Sequence, residues 1–152
     1  MKSRETQTRN IVLLLVRIWL GYRMFTASYS SVTGILFHPG ERAFFIKWFG
    51  EELHFPFPLA MAFLAKGSEL MGGIFVFAGF LTRPAAALIC FTMLIATVTA
   101  NLGKDWNLDG GFTVSYFMFA LVLLTEGGGK YSLDNFLFKK RNQIMDLSKN
   151  VN

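Results

Sequence analysis

Two opposite charges, Lys66 and Glu69, stand inside the apolar run FPFPLAMAFLAKGSELMGGIFVFAGFL at residues 55–81. About 20 apolar residues in a helix cross the ~30 Å hydrocarbon layer of a bilayer, so this run is long enough to span. A charge at that depth costs roughly 2.5–3.5 kcal/mol and persists where it faces protein or water and has a partner. The chain must therefore bring neighbours to this run, and a bundle of packed spans is the architecture that does so.

Three further apolar stretches lie at about residues 11–34, 85–102 and 110–125. Backbone in lipid has to satisfy its own hydrogen bonds, which favours helices. The polar/apolar alternation of barrel strands is absent. The expected fold is thus an all-α membrane protein, a four-transmembrane-helix bundle in one domain covering residues 1–152. Composition agrees: 53% of residues are hydrophobic and 16% charged, where soluble domains carry about a quarter charged. The first connection, 35–56, places Phe44, Phe45, Trp48, Phe49 and Leu53 at helical spacing, with Glu41, Arg42, Lys47, Glu51 and Glu52 taking much of the other side. That pattern predicts an interfacial amphipathic helix with its aromatics toward lipid. The alternative is an extramembrane segment packed on the bundle.

The net charge of +5 comes mostly from the two ends and reports topology, with no nucleic-acid partner implied. The N-terminus, the turn at Arg83 and the C-terminal segment hold nine Lys/Arg, whereas the other two loops hold Arg42, Lys47 and Lys104. The positive-inside rule puts both termini in the cytoplasm of a multi-pass protein of the cell (inner) membrane. The basic LFKKR segment reads as attracted to anionic lipid of the bilayer. The first apolar run is broken by Arg17 and lacks a clean small-x-small cleavage site, so it reads as a retained span.

Arg17 and Arg23 lie in the first span. Depths counted along the helices put Glu69 within reach of either, so a Glu69–Arg17 or Glu69–Arg23 bridge is the simplest neutralisation. Lys66 and Glu69, three residues apart, can also pair along one face. Three cations against one acid leave a cation for a backbone carbonyl, a route to the surface, or an anionic or quinone-type ligand. Arg17, Arg23, Lys66 and Glu69 are therefore the candidate polar core or ligand site, against the plainer reading that they only fix packing. Small and polar residues recur on the helix faces: Arg17, Gly21, Met24, Ser28, Ser31, then Ser68, Gly72 and Gly73. They predict close helix approach. The single cysteine, Cys90, excludes an intrachain disulfide and reads as a packing residue. His38 and His54 both fall in the first loop, so no bis-histidine haem site is expected between spans and no metal site is assigned.

Three segments, VRIWLG (16–21), AKGSELMGGIFVFAGFLTRPAA (65–86) and EGGGKYSLDNF (126–136), carry a likeness in order along the chain. With them the chain resembles the DoxX family, small four-span membrane proteins that include the DoxD relatives of archaeal thiosulfate:quinone oxidoreductase. Arg17, Glu69, Gly73, Arg83, Ser132, Leu133 and Asp134 match the family pattern; Gly73, Arg83, Ser132 and Asp134 would be structural. Many relatives carry a lysine near the end of the first span, where this chain has Ser30 and Ser31. The resemblance implies a membrane component of redox metabolism, a quinone-interacting subunit of an oxidoreductase complex of the thiosulfate:quinone type, the isolated chain not being a complete enzyme. The competing expectations are a non-catalytic scaffold or assembly factor docked on a redox enzyme or membrane complex, and a small proton-linked transporter, which would need a homo-oligomer to form a path.

Overall fold

The computed structural model describes residues 2–98, 108–137 and 139. Among the described residues every regular element is helical: α1 (Lys2–Phe37), α2 (Pro39–Lys47), a π-helical turn (Trp48–Glu52), α3 (Pro58–Ala78), α4 (Thr82–Ala96) and α5 (Leu108–Glu126). A last short helix covers 133–137. α1 and α3 are long and apolar enough to cross a membrane, while α4 and α5 are shorter apolar helices. The end of the expected third span beyond residue 98, Lys104, and the basic segment from Lys140 onward lie outside the described residues.

Local chemistry sets the boundaries. Pro58 opens α3, where its missing N–H costs nothing. Gly79, in the left-handed region at φ 71°, closes it. Two bonds, Gly79 N–H to the Val76 carbonyl (3.1 Å) and Phe80 N–H to the Phe75 carbonyl (3.0 Å), complete the Schellman ending that such a glycine permits.

α3 lies in the middle, packed mainly on α1 and also on α4, and α4 pairs with α5. Two glycines let α1 and α3 meet closely. A β-carbon at Gly21 would come within 2.6 Å of the Phe77 backbone nitrogen, and one at Gly73 within 2.9 Å of Met24 Cβ and the Phe25 nitrogen. Around these contacts Leu20, Met24, Val76, Ile89, Met93, Ala120 and Leu123 form one buried core.

The amphipathic helix expected in the first loop exists as α2, but its aromatic side faces the protein. Phe45 and Phe49 are buried against Ile35 and Ala62, with Trp48, Leu53 and Phe55 packed around them, and Phe44 stays exposed. Arg42 fixes this docking. Its Nε and Nη2 donate to the Ile35 (2.8 Å) and Leu36 (2.7 Å) carbonyls, acceptors that the end of α1 leaves unpaired. The π-turn, closed by Leu53 N–H to the Trp48 carbonyl (3.0 Å), swings Phe49 and Phe55 over the end of α3.

Candidate functional site at the Lys66–Glu69 pair

Glu69 is 4% exposed on α3. Its Oε2 accepts from Lys66 Nζ at 2.9 Å and from Ser28 Oγ on α1 at 2.9 Å. Neither arginine reaches it, which corrects the bridge expected from the sequence. The helix register is the reason. Ser28 stands opposite Glu69, Met24 opposite Gly73, Gly21 opposite Phe77, and Arg17 opposite Gly79. Arg17 is thus eleven residues along α1 from the residue facing Glu69, roughly 16 Å.

Arg17, also 4% exposed, instead closes one end of the bundle. Its Nη1 donates to the Gly128 carbonyl (3.2 Å) and its Nη2 to the Tyr131 carbonyl (3.0 Å). The carboxylate whose charge reaches it is Asp134. Asp134 in turn accepts from the Leu81 N–H (2.7 Å) and the Thr82 N–H (2.8 Å), the first donors of α4, where a carboxylate also meets the positive end of the helix dipole. Leu81 sits at φ 46°, a conformation disfavoured for a branched residue and held here by that bond. Ser132 Oγ donates to the Gly129 carbonyl (2.7 Å) and accepts from Asn135 N–H (3.2 Å), starting the last short helix. Arg83 Nη2 donates to the Thr125 carbonyl (3.1 Å) near the end of α5. The sequence carried Asp134 only as part of a motif; that Leu81, before Thr82, is a poor cap was the local sign that α4 needed one from elsewhere.

Arg23 goes a third way. Its Nε donates to the Tyr116 hydroxyl on α5 (3.1 Å), and its guanidinium lies 5.9 Å from the Trp19 ring centre. The four candidate residues therefore separate into one ion pair, one backbone-bound cation and one cation bonded to a tyrosine hydroxyl.

The ion pair borders a cavity. Lys66 and Glu69 line a space of about 60 Å³ whose other walls include Trp48, Phe49, Phe55 and Thr92. Phe49, Phe55, Ala65, Thr92 and Ile95 also line an apolar groove of about 350 Å³ between α3 and α4. Its far walls, Leu64, Leu88 and Phe91, are exposed on the outer surface of the bundle. A ligand entering sideways would slide an apolar body along the groove and meet a donor, Lys66 Nζ, at its inner end. The sequence named both charges; the walls from the first loop and Thr92 were missed, because only the folded π-turn brings them there.

The DoxX family model matches residues 12–102, a stretch that holds Arg17, Arg23, Lys66, Glu69 and Arg83. An uncharacterized protein of Haemophilus influenzae is 27% identical over 139 residues, covering 85% of each chain. A Bacillus subtilis protein named "Putative oxidoreductase CatD" is 30% identical over 126 residues, 83% of this chain and 87% of its own length. No solved structure matches the chain significantly. The family match and the CatD likeness agree with the shared segments read above: this is a membrane protein, and it belongs to the DoxX family.

Proposed function

We propose that the chain is a four-span inner-membrane component of a redox system, with both termini in the cytoplasm, and that it receives a quinone ring in the cleft between α3 and α4. The observation that carries this reading is the Lys66–Glu69 pair beside an apolar groove that opens on the outer surface of the helices. Pockets for such ligands are mostly apolar with a few placed polar groups. A bound quinone supplies two-electron, two-proton chemistry. Lys66 Nζ donates a hydrogen bond to a ring carbonyl, and Glu69, held by Ser28, keeps the ammonium in place and is positioned to pass a proton. Arg17 takes no part, since two carbonyls occupy its Nη1 and Nη2. The name of the CatD relative supports a redox setting, and the basic residues at the termini support the orientation.

The test is a titration of purified protein in nanodiscs with ubiquinone and menaquinone, read by quenching of Trp48 against a Trp48→Phe control. Saturable binding weakened about tenfold by Lys66→Met, the scale of one lost charged hydrogen bond, is expected. Linear partitioning, identical in wild type and variant, sinks the reading. A scaffolding role is favoured by a separate observation, the polar outer face of α1.

A further inference from the structure

Along α1, Trp19, Arg23, Thr26, Ser30, Thr33 and Phe37 follow one another at alternating spacings of four and three. That repeat is the seam of one helix packed on another. It is distinct from the buried seam of Leu20, Met24 and Ser28 that meets α3. On the outer seam Trp19, Ser30 and Phe37 are exposed, and Arg23, Thr26 and Thr33 are half-buried. The Arg23 Nη groups and the Ser30 hydroxyl make no hydrogen bond among the described residues. Lipid tails offer such groups no acceptor, and polar side chains on spans face protein or water.

Charge selects the occupant. Lys66 is neutralised by Glu69, and Arg17 has two carbonyls and the charge of Asp134. Arg23 has a phenol and an indole face and no carboxylate partner among the described residues, so of Arg17, Arg23 and Lys66 it is the cation left unbalanced. A second copy related by a two-fold axis along the membrane normal would set its own Arg23 against this one, and like charges at close range repel. We infer that the outer seam of α1 seats a transmembrane helix of a different protein that carries an Asp or Glu level with Arg23. The inference rests on α1 crossing the bilayer and is independent of what enters the α3–α4 cleft.

The test uses the full chain, donor-labelled and reconstituted in phosphatidylcholine vesicles, with acceptor-labelled leucine–alanine transmembrane peptides holding one central Asp, Leu or Lys. Energy transfer should show the Asp peptide associating at least about tenfold more tightly than the other two, a difference typical of a desolvated charge pair. Arg23→Met should erase that preference. Ser30→Trp, which keeps the guanidinium and blocks the seam, should weaken association of the Asp peptide even if Arg23→Met does not fold. Equal transfer for Asp and Leu peptides overturns the inference. So does Arg23-dependent transfer between copies of the chain itself, or Arg23-dependent retention of phosphatidylglycerol in native mass spectrometry without a peptide preference. The quinone titration is unaffected by any of these outcomes.

Discussion

The two most buried charged side chains among the described residues, Arg17 and Glu69, are equally hidden, yet their surroundings differ in kind. Arg17 spends its two Nη groups on carbonyls of the segment after α5, its buried Nε finding no partner among the described residues, and glycine packing closes the space beside it: a β-carbon at Gly79 would strike its guanidinium and Ser132 Cβ. Glu69 spends its acceptors on two side chains, and the cavity beside it leads to a groove. Backbone partners cannot swing away or change protonation, so the first arrangement suits a fastening. Side-chain partners can do both, so the second suits a place where a ligand exchanges hydrogen bonds.

Substitutions should divide along that line, stability falling at the fastening and ligand binding at the cleft. The largest loss is expected for Arg17→Ala, which orphans the Gly128 and Tyr131 carbonyls and frees Asp134 from its nearby cation; about 3 kcal/mol follows from breaking a buried charged contact. Thermal unfolding in detergent, followed by size-exclusion elution, measures it, and wild-type melting would erase the contrast. Gly73→Val comes next at about 2 kcal/mol, because its side chain drives into Met24 and Phe25 and overpacking of tight helix contacts costs on that scale. Asp134→Ala should cost about 1–2 kcal/mol through the lost cap of α4, and Asp134→Asn less, since an amide oxygen still accepts one of the two bonds.

At the cleft, Glu69→Gln keeps an amide oxygen for Ser28 and Lys66 but removes the counter-charge of Lys66, so a loss of about 1–2 kcal/mol is expected, smaller than for Arg17→Ala. Its quinone titration should nevertheless shift by more than that of any fastening variant that remains folded. A Glu69→Gln protein that melts like Arg17→Ala, with unaltered binding, would place both charges in one structural class. Arg83→Ala sits at the bottom of the scale: its bond to Thr125 is exposed, and a loss near 0.5 kcal/mol is expected.

How much of this the sequence disclosed depends on the distance over which each contact acts. Apolar length located α1 and α3, the run 55–81 overshooting α3 (Pro58–Ala78) by three residues at each end, where Pro58 and Gly79 set its limits. Length does not fix how one helix slides against its neighbour. That register comes from the Gly21 and Gly73 notches, and it sets Ser28 against Glu69, eleven residues along α1 from Arg17. The Lys66–Glu69 pair, three residues apart, was within local reach and was anticipated as one of the choices. The cap of Asp134 on α4 joins residues 52 and 53 apart, with no local periodicity to announce it. The aromatic face of α2 was legible as a face, but lipid and bundle are both apolar, so pattern alone did not choose between them; the Arg42 bonds to the end of α1 did.

The acceptors of Arg17 lie 111 and 114 residues downstream of it. A growing chain therefore exposes this guanidinium long before the groups that satisfy it have been synthesised. Until the stretch following α5 has emerged, the first helix is expected to ride with its arginine among lipid headgroups, and only the finished polypeptide draws it inward. Premature termination just after Glu126 would thus leave four apolar helices intact and still deny the bundle its clasp, making completeness of translation itself a condition of assembly.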